Sequence, residues 1–182
     1  VESFIRRKDH LYAAANIMNQ GISKIAFQLF AEFKDNLLND TLTAEDYDKI
    51  ALASMIQGIA FMQSCTCIPH GMGYPLSHYY DICHGLSCGV FLGEWLKNFK
   101  DQSLIQEVIT DCGFKTSDEF ADYVRALTNR DVELEVTDEE IQKWSDQFMA
   151  QQTWRIESNP EELTRDDIYT IYRRALAKYI KE

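Results

Sequence analysis

Apolar positions recur along most of the chain at spacings of three and four residues. From Ile22 they run Ile22, Ile25, Ala26, Leu29, Phe30, Phe33 and Leu37, and from Ile168 they run Ile168, Ile171, Tyr172, Ala175, Leu176 and Tyr179. Such a stripe holds one side of a 3.6-residue helix against a core. Three further segments share a start signal. Thr43-Ala-Glu-Asp46, Thr137-Asp-Glu-Glu140 and Thr164-Arg-Asp-Asp167 each put a hydroxyl at an N-cap and an acid three residues later, where it answers free amides and the helix dipole. Ser103 to Cys112 predicts a shorter helix stopped by Gly113, and Ser117 to Leu127 predicts one more. Val132 to Val136 alternates like a strand, but the pattern offers it no second strand to pair with. Three prolines and eight glycines are too few for a turn-rich β architecture. The fold class is therefore all-α, a single domain over residues 1–182 with roughly seven to nine helices.

Composition narrows the partners. The chain is 46% hydrophobic and 26% charged, as globular domains are, and its formal charge of −11 speaks against nucleic acid or an anionic membrane surface. The longest apolar stretch, Ala51 to Met62, is broken by Ser54 and Gln57 and is too short to cross a bilayer. Five cysteines form an odd set with no C-x-x-C pair, and no secretory signal opens the chain; both point to reduced thiols in the cytoplasm. The first residues, Val1-Glu2-Ser3-Phe4-Ile5, carry no initiator Met and no cap. They read as the middle of a helix, so the chain is expected to be part of a longer polypeptide.

The chemistry concentrates between Ile68 and Gly89. Four of the eight glycines, two of the three prolines, and His70, His78 and His84 fall there, flanked by helical pattern on both sides. Glycines at 71, 73, 85 and 89 permit close backbone approach. The expectation is an irregular, Gly-rich, His-bearing turn set into a helical domain, the place where a site is built. Cys65, Cys67, Cys83 and Cys88 crowd the same region, but with His70 they match no usual zinc spacing and read as small buried hydrophobes. His10 and His78 read as structural or exposed, and Asp81 reads as a helix cap.

His70-Gly-Met-Gly-Tyr-Pro-Leu76 followed by Tyr80-Asp-Ile-Cys-His84-Gly85 resembles the signature of the iron-containing (group III) alcohol dehydrogenases, with fourteen residues between the histidines. The helix Ile50 to Met62 resembles the family's helix before the first histidine, and Asn159-Pro160 through Tyr169 resembles its closing turn and last helix. The likeness spans the whole chain but covers only the helical C-terminal half of a dehydroquinate synthase-like fold. It implies that His70 and His84 are two of four ligands to a catalytic Fe(II) or Zn(II). The other two, an Asp and a His, would lie just upstream of Val1. It implies a nucleotide-binding N-terminal domain further upstream, NAD or NADP, a small alcohol or aldehyde substrate, and a homodimer as the common assembly.

The sequence departs from the family pattern at three points. Tyr74 stands where most members carry a second histidine near the nicotinamide that helps relay the proton, and is read as the candidate catalytic residue of the pocket and a marker of substrate branch. Cys83 replaces the proline before the second ligand, and Ser77 the glycine after Pro-Leu. With only two ligands, the domain alone is expected to be inactive. Two other readings stay open. One is a zinc-dependent glycerol dehydrogenase-like enzyme; the other is a stand-alone acidic helical interaction domain with a vestigial metal site.

Overall fold

The computed structural model describes residues 1–7, 13–128 and 134–181, with the backbone alone for 13–16. His10, Val132 and Glu133 lie outside the described residues. Among those described, helices run in the order α1 (Ala13–Leu38), α2 (Ala44–Ser64), α3 (Ile68–Tyr80), α4 (His84–Lys97), α5 (Gln106–Asp111), α6 (Ser117–Thr128), α7 (Asp138–Gln151), α8 (Thr153–Ser158) and α9 (Arg165–Ala175). The three expected capping boxes are present at the starts of α2, α7 and α9, each with both reciprocal hydrogen bonds.

α4 is the axle of the core. Phe91, Trp95 and Leu96 on it are fully buried, between α3 on one side and α6 and α9 on the others. Phe91 meets Tyr172 of α9 edge to face with ring centroids 5.1 Å apart, and the Trp95 indole N–H donates to the Asn159 side chain at 3.0 Å. α1 and α2 form an antiparallel hairpin leaning on this body through Phe27 and Phe30. Phe30 packs edge-on against Tyr123, which also meets Phe114. α2 presents Met55, Ile59 and Met62 to solvent.

Four expectations change in detail. The helix foreseen over Ser103 to Cys112 is split: a 3-10 turn (Gln102–Leu104) precedes α5, and the stop at Gly113 adopts φ +81°, a conformation that favours glycine. The last helix ends at Ala175 instead of running on to Tyr179, because residues 177–179 tighten into a 3-10 turn and the chain then extends. That extension has a partner. Val136 and Ile180 form one isolated parallel bridge, with Val136 N–H donating to Tyr179 O at 2.9 Å and Lys181 N–H to Val136 O at 3.0 Å. Val1 to Ile5 makes a single turn, closed by the Phe4 and Ile5 amides on the Val1 carbonyl.

The fourth correction concerns the site. Residues 68–89 are not an irregular turn but two helices, α3 and α4, joined by three residues. α3 holds because Ile68, Met72 and Leu76, spaced by four, are buried to 2% exposure or less. Pro69 sits in the first turn, where its missing N–H costs nothing. Asp81 ends α3 in the left-handed region at φ 54°, and the Ile82 amide reaches back to Leu76 O at 3.3 Å. α2 and α3 meet at 106°, and no single helix among the described residues is long and apolar enough to cross a membrane.

Candidate metal centre

His70 stands at the third position of α3 and His84 at the first position of α4. The three-residue link at 81–83 folds the two helix starts toward one another, so the fourteen-residue spacing becomes a ring-to-ring contact. The imidazole centroids lie 5.2 Å apart, inclined at 71°. Cys88 follows His84 by one helical turn, on the same face, with its Sγ 3.7 Å from both ring nitrogens. One donor atom each from His70, His84 and Cys88 lie within 4.8 Å of one another. Cys65, Cys67 and Cys83 are not members of that group.

The seam between α3 and α4 is set by backbone, not by long side chains. A Cβ on Gly73 would stand 2.8 Å from the Ser87 carbonyl oxygen and 3.0 Å from the Cys88 nitrogen. Beside it, the Ser77 hydroxyl pairs with Ser87 Oγ at 2.7 Å, and Ser87 Oγ donates to the His84 carbonyl at 2.9 Å. Since Ser87 spends its one proton on His84, Ser77 is the donor of the pair. The serine that departs from the family pattern thus helps fix the first turn of α4.

Glu2 closes the far side of His70. Its Oε1 lies 2.6 Å from His70 Nδ1, and its Oε2 accepts the Cys67 amide N–H at 2.6 Å. The Glu2 side chain is 11% exposed and that of His70 is 30% exposed. A cavity of about 340 Å³, lined by Glu2, Gln57, Gly58, Phe61, Thr66 and His70 among others, opens directly on this pair. Burial, with the Glu2 charge second, pushes the Cys88 thiol up to about 11, and burial does the same for Cys67.

Tyr74 lies one turn beyond His70 on α3 but turns to a different neighbour. Its hydroxyl accepts from Arg155 Nη2 at 2.8 Å, and the guanidinium carbon sits 5.4 Å from its ring centroid and 4.1 Å from that of Trp154. Arg155, nearly buried, also donates to Cys67 O at 3.1 Å and Gln152 Oε1 at 2.9 Å. Tyr74 lines a second cavity of about 290 Å³ with His78, Tyr79, Trp144 and Phe148, and His70 is not part of that wall. His78 is exposed, with its ring 4.7 Å from that of Tyr79. The structure therefore brings His70 and His84 together and places Tyr74 in an adjoining recess.

A family model for the Fe-containing alcohol dehydrogenase family, C-terminal, matches residues 10–176. The chain belongs to that family. Its fold is shared with an iron-containing alcohol dehydrogenase from Thermotoga maritima, at TM-score 0.75 and 23% identity over 97% of this chain and 45% of that one. It is shared as well with sulfoacetaldehyde reductase from Bifidobacterium kashiwanohense in complex with NAD+, at TM-score 0.67 and 24% identity over 96% and 46% of the two chains. Alcohol dehydrogenase from Oenococcus oeni superposes at TM-score 0.64 and 18% identity over 96% and 48%. The chain thus spans a little under half the length of these proteins. No curated protein matches it.

The residues present fit a divalent metal of the kind that gives this alcohol dehydrogenase family its name. Four-coordinate zinc sites hold nitrogen and sulfur donors about 3.3 to 3.7 Å apart, and the three donors here, all within 4.8 Å, need to close by only about 1 Å. Neutral imidazoles suit both Fe(II) and Zn(II), while a thiolate leans toward zinc. Cys88 carried a legible signal, since i and i+4 share a helix face. Glu2 and Arg155 carried none, because their partners are 68 and 81 residues away in the chain.

Proposed function

We propose that this domain supplies the metal-holding wall of an NAD(P)-dependent alcohol dehydrogenase or aldehyde reductase. The observation that carries the reading is the convergence of His70 and His84 across the α3–α4 link in a member of the iron-type family. Each imidazole offers one neutral nitrogen to Fe(II) or Zn(II); bound there, the metal is a Lewis acid that polarises the oxygen of an alcohol or aldehyde. Two histidines and a neighbouring thiol leave room for donors from an N-terminal domain, which also binds NAD or NADP and so carries the choice between them.

The domain's own residues do the positioning. The Gly73–Ser87 contact fixes the spacing of the two histidine-bearing helices. Tyr74, its hydroxyl oxygen engaged by Arg155, keeps its proton available to a polar group in the recess it lines. The five free thiols suit a cytoplasmic enzyme. Cys88 beside the pair favours the zinc-using glycerol dehydrogenase-like branch as the second reading.

The test is metal content and turnover of the intact protein, as isolated and as His70→Ala and His84→Ala, against a panel of aldehydes with NADH and NADPH. Loss of metal and of turnover in both variants is expected. Unchanged metal content and turnover in either one sinks the assignment.

A further inference from the structure

A neutral imidazole carries its proton on one nitrogen and a lone pair on the other, and only the lone pair can bind a metal. Which nitrogen is left open is decided by whatever the other one touches. At His70 that neighbour is Glu2, and we propose that Glu2 is the positioning residue that fixes the His70 proton on Nδ1 and leaves Nε2 as the metal-binding nitrogen. The inference rests on the reading of His70 as a ligand.

Three observations carry it. The Glu2 Oε1 to His70 Nδ1 distance is 2.6 Å, a close hydrogen bond to a charged acceptor. A carboxylate can only accept, so the ring must donate from Nδ1. Next, Glu2 is itself held. Its other oxygen takes the amide of Cys67, the N-cap of α3, whose own side chain makes no capping bond. The carboxylate therefore caps the helix that carries His70 and fixes that ring in one act, at the end of α3 where the helix dipole favours negative charge. Finally, only 11% of the Glu2 side chain is exposed, so the carboxylate is held between its two partners.

A capping role and a proton-fixing role separate cleanly in Glu2→Gln. The glutamine carbonyl can still accept the Cys67 amide, which turns its NH2 toward His70 Nδ1. A donor now faces Nδ1, so the ring satisfies it by moving its proton to Nε2, the nitrogen the metal requires. The opposite amide orientation would leave the Cys67 N–H facing another donor. Were Glu2 only a cap, glutamine would replace it without effect.

The experiment uses the intact protein. In the metal-free state, imidazole 15N shifts report the tautomer of His70, its signals assigned by their loss in His70→Gln. Zinc affinity is then read by chelator competition for wild type, Glu2→Gln and His84→Ala. The expected result is an Nδ1–H tautomer in wild type, an Nε2–H tautomer in Glu2→Gln, and zinc binding about 10- to 100-fold weaker in Glu2→Gln. His84→Ala is expected to lose zinc while keeping the wild-type His70 tautomer. A Glu2→Gln protein with the wild-type tautomer and wild-type zinc affinity overturns the proposal. A shifted tautomer in Glu2→Gln, with His70→Gln and His84→Ala binding zinc as wild type does, supports Glu2's control of the proton and overturns the metal reading instead.

Discussion

Replacing Gly73 with alanine asks whether the two histidine-bearing helices must touch backbone to backbone. The added Cβ would lie 2.8 Å from Ser87 O, 2.9 Å from Ser87 C and 3.0 Å from Cys88 N. These are main-chain atoms of α4 and cannot swing aside. To reach ordinary contact near 3.4 Å, α3 and α4 must part by some 0.6 Å at this point. Overpacking of this kind costs about 1 to 3 kcal/mol. Alanine in a helix interior returns about 1 kcal/mol over glycine, so the net loss is about 0 to 2 kcal/mol. Gly21→Ala in α1 is the control. It has open space around its Cβ position and should gain about 1 kcal/mol from propensity alone. The two variants should therefore differ by about 1 to 3 kcal/mol in opposite directions, or about 2 to 4 °C per kcal/mol in a domain of this size. The site should register the same movement. His70 precedes Gly73 by three residues and His84 precedes Ser87 by three, while metal–ligand distances tolerate only about 0.2 Å. Urea denaturation and zinc titration of both variants check this. A Gly73→Ala protein as stable as Gly21→Ala, with wild-type zinc affinity, would show that the close seam does not govern the site.

Two further outcomes follow from the charge and thiol environments. Asp46 and Glu140 are held below the usual carboxylate range chiefly by the Thr43 and Thr137 amides that they accept. A depressed folded-state pKa stabilises the fold above the unfolded value and is lost as pH falls through it, so stability should decline on acidification below about pH 5. Thr137→Val should cost about 1 kcal/mol at pH 7 and flatten part of that decline; urea midpoints from pH 7 to pH 3 that do not move with pH would refute it. Among the cysteines, Cys83 is exposed, whereas burial pushes Cys67 and Cys88 up to about 11 and Cys112 to about 12. Iodoacetamide at pH 8 should label Cys83 well before those three, read by peptide mass spectrometry, and equal labelling of Cys88 would contradict its buried setting.

Much of the fold was legible because helix signals are local. A hydroxyl and an acid three residues apart define a capping box wherever they fall, and the boxes at Thr43, Thr137 and Thr164 stand as read. The glycine and proline content of residues 68–89 misled for the same reason. Glycine costs about 1 kcal/mol and proline about 3 in a helix interior, which argues locally against α3. Burial of Ile68, Met72 and Leu76, at about 1.5 to 3 kcal/mol each, matches the combined cost of Gly71, Gly73 and Pro75, about 5 kcal/mol. The apolar spacing of four was present in the sequence, but its burial depends on α4, α7 and α8 closing over it. The Val136–Ile180 bridge likewise answers to a neighbour distant in the chain.

The sequence by itself determined the all-α class and the family, and put His70 and His84 forward as a pair, since periodicity, caps and a fourteen-residue motif are properties of short segments. Tertiary structure decided what surrounds that pair. Glu2 reaches His70 across 68 residues, Arg155 reaches Tyr74 across 81, and a shared helix face becomes a three-donor cluster only when α3 folds back on α4. Such contacts arise from the closing of the core, where close packing leaves each buried polar group few partners. A local pattern fixes which residues are offered; packing of the whole chain fixes which of them meet.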